Sequence, residues 1–252
     1  IGLIEIGGME TLASFNRMYL ENRYDCFLHE VNSRRGIFVG ALLKKGKFPS
    51  AIAHNMDVQF SRNLLRLDLG AEGGFLRVFV VHLKSQIGSD RGIEQRIKEV
   101  ERLSTLVRKK KCIVMGDFNG ILIRGESQFE YDAFLQLPFT DVLEAVGVPP
   151  HLRRTHYYFD SEPHFTQLDY IFCTNDIVVE SARVLEGEIP INRDQRRKLP
   201  SDHLFITAKI IPPALKAEQY KEKISPIEEP ARLTTRIIAY IKKIFSVKKT
   251  KW

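Results

Sequence analysis

The sequence predicts an α/β fold of two packed β-sheets with helices on the outside. Two observations lead there. Apolar, β-branched runs recur along most of the chain, several of them close enough to pair as hairpins. Helical patterns are few, whereas a doubly wound parallel sheet would need a crossover helix between most of its strands.

The elements follow in order. Gly2–Ile6 is the first strand candidate. Gly7-Gly8 turns the chain into a helix over Met9–Leu20. Strands are expected at Tyr24–His29, Ile37–Leu43, Leu64–Leu69 and Leu76–His82, with Gly73-Gly74 as the hairpin turn between the last two. Arg91–Val107 is a longer helix, with Ile93, Ile97, Val100, Leu103 and Val107 on one face. Lys111–Met115 is a strand and Phe129–Leu135 a short helix; Leu168–Cys173, Ile177–Arg183 and Leu204–Ile210 complete the set of strands. Pro212-Pro213 stops the last one, because proline cannot continue a ladder. The expected division is a catalytic domain over residues 1–212, a polar linker over 213–230 and a basic amphipathic helix over 231–252. In that helix Leu233, Ile237, Ile238, Ile241, Ile244 and Phe245 share a side flanked by Arg232, Arg236, Lys242 and Lys243.

Charge sharpens this division. The 252 residues carry a formal +7, and the stretch from Pro213 to Trp252 holds ten Lys or Arg against four Glu. The tail therefore accounts for +6, and the body is nearly neutral. An acidic partner, nucleic acid or an anionic membrane surface, is expected to meet the tail first. Hydrophobic residues make up 44% of the chain, enough for a packed core. No apolar run reaches the roughly 20 residues of a membrane span. Cys26, Cys112 and Cys173 lie in or near hydrophobic stretches without metal-ligand spacing. They read as buried free thiols in a reducing compartment, not as a disulfide scaffold, which favours a cytoplasmic or membrane-peripheral location.

Five polar blocks lie at or beside the ends of apolar runs: Leu3-Ile4-Glu5, His82-Leu83-Lys84-Ser85, Gly116-Asp117-Phe118-Asn119, Leu168-Asp169-Tyr170 and Ser201-Asp202-His203. A fold that gathers strand ends would make one site of them, suited to a hard divalent cation and to phosphate-ester hydrolysis by water. In Gly116-Asp117-Phe118-Asn119 an extended chain would aim acid and amide the same way, to grip a water and a phosphate oxygen. The same residues could equally form an ordinary turn. Asp202 could hold a metal or orient an imidazole, and His203 could act on the water or stabilise the phosphate. Asp169 is placed to orient His203. His82 could be a satisfied core residue or a phosphate contact. Glu5 stands in an otherwise apolar run, where a buried carboxylate needs Mg²⁺, Mn²⁺ or an Arg as its partner. Arg193, Arg196, Arg197 and Lys198 directly precede the last block and could bind a phosphodiester backbone.

Taken in order, these blocks resemble those of the endonuclease/exonuclease/phosphatase superfamily, over about Ile1 to Ile211. The resemblance implies a four-layer α/β sandwich, two packed mixed β-sheets flanked by helices, and Mg²⁺-dependent (or Mn²⁺-dependent) phosphoester hydrolysis. It implies that Glu5 is the metal carboxylate with Asp202 at the metal side. Asp117 and Asn119 would position the water and the phosphate, Asp169 would orient His203, and His82 would contact the phosphate. Arg35-Gly36-Ile37 matches a segment near the family's site, so Arg35, Lys84, Arg196 and Arg197 are the substrate-binding candidates. Two departures stand out. The family's first strand, with its metal-binding Asn, precedes the Glu strand, so an N-terminal strand is expected to be missing here. Gln167 stands where many relatives have Arg. The expected activity is that of a metal-dependent phosphodiesterase acting as a nuclease, with nucleic acid or another phosphodiester as substrate, working as a monomer. The rival expectations are a membrane-held lipid or inositol phosphate phosphoesterase, and a non-catalytic binding module with a broken metal site.

Overall fold

A computed structural model of the protein describes residues 1–31, 33, 35–55, 59–71, 74–86, 92–123, 128–158, 163–199 and 201–211. The linker and tail expected beyond residue 211 lie outside the described residues.

The central sheet has six strands: β4 (Ala51–Asn55), β5 (Leu65–Ala71), β6 (Gly74–His82), β7 (Cys112–Asp117), β8 (Phe139–Asp141) and β11 (Asp169–Thr174). Their order is β4-β5-β6-β7-β11-β8, antiparallel throughout except for the parallel pair β6 and β7. Helix α2 (Ile93–Leu106) is the crossover that a parallel pair requires. Ala71 pairs with Gly74 across the expected hairpin. A second layer holds β1 (Gly2–Ile6), β2 (Tyr24–Leu28) and β3 (Phe38–Lys44) in the order β1-β3-β2, together with a separate pair, β12 (Val178–Val184) and β13 (Ile206–Ile211).

Strand alternation explains the packing. One face of the central sheet sends Leu67, Val78, Val80 and Ile113 toward the second layer. There they meet Val39 and Ala41 of β3, and Ala182, Val184, Ile206 and Ala208 of β12 and β13. The other face sends Phe79, Val81, Val114 and Phe172 toward Val100 and Leu103 of α2 and Phe134 of α3 (Asp132–Leu135). Helix α1 (Met9–Tyr19) covers the outside of the three-stranded sheet with Leu12 and Phe15 against Leu28 and Leu42. The four layers are helix, sheet, sheet, helix, as expected.

Some expectations need correction. Phe129–Leu135 is helical in two pieces, a 3-10 turn over Phe129–Tyr131 and then α3. Four short strands escaped the sequence reading: β4, β8, β9 (His156–Tyr158) and β10 (His164–Thr166). The last three are only three residues long, too short to show a period. Glu5 is not buried. Its side chain faces solvent, its φ is +57°, and the β1–β3 register shifts between Leu3 and Ile6. A bulge has turned it out of the apolar alternation.

Candidate active site

Three adjacent strands of the central sheet bring three blocks to one level. The β6–β7 register sets His82 beside Asp117, and the β7–β11 register sets Asp117 beside Asp169. His82 Nε2 lies 3.5 Å from Asp117 Oδ2. Asp169 Oδ2 lies 2.7 Å from Nδ1 of His203, which hangs from the loop before β13. Residues separated by more than a hundred positions thus form a continuous row across the C-terminal ends of β6 and β7. Gly116 permits this approach. Its φ is +133°, and a side chain there would collide with the Val81 carbonyl of the neighbouring strand.

Beyond Asp117 the chain is a tight turn, the second of the two alternatives the sequence left open, not an extended segment. Asn119 has φ +53°. Its backbone N–H donates to Asp117 Oδ1 at 2.7 Å, and its Nδ2 donates to Asp117 Oδ2 at 2.9 Å and to the Leu83 carbonyl at 2.9 Å. The amide hydrogens of Asn119 are therefore used to hold Asp117 and are not offered to a phosphate. Asx-type local bonding has won over strand geometry.

The electrostatics separates the roles. Burial pushes Asp117 up to about 7; the charge of His203 opposes the shift and that of Asp169 reinforces it. Burial pulls His203 down, but Asp169, Asp117 and Asp202 outweigh it and raise the imidazole to about 10. His203 is an imidazolium at neutral pH. His82 goes the other way, to about 2, through burial and the positive charges of Arg62, His203 and Arg35. It is a neutral imidazole over the whole useful range.

The remaining predicted residues lie around this row. Asp202 forms an ion pair with Arg196 at 2.6 Å, which docks the basic loop and its short helix α4 (Arg193–Arg196) against the site. Arg197 is exposed on the same loop. Arg35 is exposed on the turn before β3, close enough for its charge to act on His82. Lys84 donates from its Nζ to the Ser85 carbonyl at 3.3 Å. The Glu5 carboxylate acts on Arg62, the same guanidinium that Asp117 influences.

Sequence reasoning missed the groups that hold the row in place. Buried Arg62 donates to the Leu83 carbonyl at 3.1 Å, sharing that acceptor with Asn119. Thr155, fully buried, accepts from the N–H groups of Leu168 and Asp169 at 3.0 and 3.2 Å, and its carbonyl accepts from Leu204 at 2.8 Å. It fixes both ends of the Asp169–His203 pair. Within α2, Glu99 accepts from the backbone of Ser61 and Lys84, and Arg96 donates to the Lys84 carbonyl and to Glu130 at 2.8 Å. Gln167 donates to Asp141 at 3.0 Å and to the Asp169 carbonyl at 3.2 Å. His156 stacks against His203, ring centroids 4.7 Å apart. Gln167 alone was marked, as a departure from the family's Arg; none of the others lies in a motif, and only an isolated polar residue beside an apolar run could have marked them.

The family profile described as Endonuclease/Exonuclease/phosphatase family matches residues 22–203. The chain belongs to that family. It is an enzyme of the phosphoester-hydrolysing kind, and the four-layer architecture is the family's sandwich. Among solved structures, Danio rerio TDP2 complexed with single strand DNA product is similar at 19% identity. That match covers 83% of this chain and 84% of the other, with a TM-score of 0.57. The mannosyl-6-phosphatase of Bacteroides thetaiotaomicron VPI-5482 is similar at 17% identity, with the same coverages and a TM-score of 0.57. A truncated Caenorhabditis elegans TDP2 shares 18% identity over 81% of each chain, at a TM-score of 0.52. No curated protein matches the chain.

Proposed function

We propose that the chain is a divalent-metal-dependent nuclease, cleaving phosphodiesters of nucleic acid with water. The observation that carries this reading is the row itself. A buried carboxylate raised to near neutrality stands between a neutral imidazole and an imidazolium that is locked to a second carboxylate.

In this reading Asp117 accepts the proton of the attacking water, because its raised affinity matches a general base working near neutral pH. Asn119 is a positioning residue, holding both oxygens of Asp117. The His203 imidazolium faces the charge that builds on the phosphate, and Asp169 keeps its ring oriented and charged. His82, as a neutral imidazole, contacts the phosphate from the β6 side. Arg35, Arg196 and Arg197 hold the flanking backbone charge.

The donor set fits a hard cation. Glu5 is a solvent-facing carboxylate turned out of its strand by a bulge, and Asp117 shares its electrostatic field at Arg62. Oxygen ligands are what Mg²⁺ and Mn²⁺ select. Glu5 would hold the ion, with Asp202 at its side once Arg196 yields. A bound cation would polarise a phosphate oxygen and neutralise developing charge.

The TDP2 relative bound to single strand DNA product supports nucleic acid as the substrate class. A substrate panel tests it: single-stranded and duplex oligonucleotides, inositol phosphates, sphingomyelin vesicles and a sugar 6-phosphate, each with Mg²⁺ and with EDTA. The expected result is Mg²⁺-dependent cleavage of oligonucleotide, reduced by orders of magnitude in Glu5→Gln. Hydrolysis confined to lipid, inositol or sugar phosphates would contradict the substrate; full turnover in EDTA would contradict the metal.

A further inference from the structure

We propose that His156, Asp202 and His203 form a binding site for a zinc-class transition-metal ion, and that occupying it switches hydrolysis off. The switch rests on the function proposed above; the binding site does not.

The three residues each offer one ligand atom, and these atoms lie within 4.8 Å of one another. They come from two separate elements, β9 and the loop before β13, which Thr155 ties together through the Leu204 N–H. The set is two imidazoles and one carboxylate. That combination suits Zn²⁺, Co²⁺ or Ni²⁺ far better than Mg²⁺, which takes oxygen ligands. Three protein ligands leave a coordination position for water, as in open zinc sites.

The contacts behind the two imidazoles favour the assignment. His203 commits Nδ1 to Asp169 at 2.7 Å, which leaves Nε2 as its ligand atom. A carboxylate behind a histidine ligand fixes the tautomer and raises the ring's basicity toward a metal. His156 stacks at 4.7 Å from His203 and keeps a buried Nδ1 without a hydrogen-bond partner among the described residues. Such an atom in a native fold calls for a partner, and a bound transition-metal ion would supply one.

Occupancy would remove two parts of the hydrolytic centre. An ion on His203 Nε2 occupies the one ring nitrogen that is left to face the phosphate, because Nδ1 is committed to Asp169. Asp202 must also leave Arg196, freeing the basic loop that this ion pair docks on the site. The ion and Arg196 therefore compete for one carboxylate.

Calorimetric titration of the full chain with Zn²⁺ alone, and visible absorption with Co²⁺ alone, read the site directly. The expected result is one high-affinity equivalent, weakened at least about tenfold in His156→Gln and retained in Glu5→Gln. Circular dichroism confirms that the variants fold. Arg196→Ala is the second test and should tighten Zn²⁺ binding several-fold by removing the competitor. Equal Zn²⁺ affinity in wild type and His156→Gln, or no tightening in Arg196→Ala, would overturn the site. The switch is read as Zn²⁺ inhibition of Mg²⁺-dependent cleavage, relieved in His156→Gln relative to that variant's own rate. Tight Zn²⁺ binding without inhibition would overturn the switch and leave the site standing. A chain that binds Zn²⁺ and cleaves no substrate would sink the proposed function and the switch together, not the site.

Discussion

At the scale of single residues, the two imidazoles of the row are driven in opposite directions, His203 up to about 10 and His82 down to about 2. Asp117 and His203 sit in one buried environment, yet the carboxyl is raised to about 7 and the imidazole to about 10. In the proposed reaction the first must lose its proton to act and the second must keep its own. Turnover should therefore rise as pH passes through about 7, hold, and fall as pH approaches about 10. A pH profile of kcat/KM on an oligonucleotide checks this; a profile flat from 5 to 8 would remove Asp117 as the base. Stability follows the same signs. The raised His203 stabilises the fold fully below its ordinary value near 6.5, and that contribution is lost as pH climbs through about 10. The raised Asp117 costs stability progressively as pH rises through the same carboxyl's shift, from near 3.8 to about 7. Asp169 and His203 could be anticipated because each stands at the edge of an apolar run. Thr155, His156 and Arg62 could not, because their roles come from contacts that only the folded chain creates. The Glu5 backbone was also illegible: a bulge depends on the register with β3, not on the composition of Leu3-Ile4-Glu5-Ile6.

At the scale of elements, α2 is the least ordinary helix. Its apolar face, Val100 and Leu103, was readable from spacing. Its buried polar residues, Arg96 and Glu99, were not, since charge at those positions looks like a solvated face. They are inside because the loop after His82 offers backbone groups that need partners, and Glu99 and Arg96 supply them. The Arg96–Glu130 pair, 2.8 Å apart and almost fully buried, closes this polar layer against the turn before α3. Removing one member strands a buried charge, so Glu130→Ala should lower unfolding free energy by about 3–5 kcal/mol. Urea denaturation measures it; a loss below about 1 kcal/mol would show that water takes over the role of Glu130. The longer strands β5, β6, β7 and β11 of the central sheet were legible by their apolar runs; β4 was not, nor were the three-residue strands β8, β9 and β10, which tertiary pairing alone makes strands.

At the scale of the whole molecule, a nearly neutral body carries its hydrolytic row at one edge of the central sheet. Sequence charge concentrates in the last forty residues, which lie outside the described ones. We propose that the stretch 231–252 is a basic amphipathic helix that seats the enzyme on an anionic membrane interface. The full chain should co-sediment with acidic-lipid vesicles at low salt and release as salt screens the charge, whereas a chain ending at Pro213 should stay in solution. Equal sedimentation of both would rule the tail out as an anchor. The order of layers was legible because the period of apolar residues distinguishes strand from helix. The strand order within each sheet was not, because pairing partners leave no local trace.

Asp117 is the group proposed to activate water, and Asp117→Asn tests that role with the least ambiguity. The substitution keeps the shape and one of the two hydrogen bonds from Asn119 while removing the base. In the presence of Mg²⁺ it should cut kcat on an oligonucleotide by a factor of about 10²–10⁴ with the fold intact by circular dichroism. A kcat within threefold of wild type would contradict the assignment of the hydrolytic centre to this row.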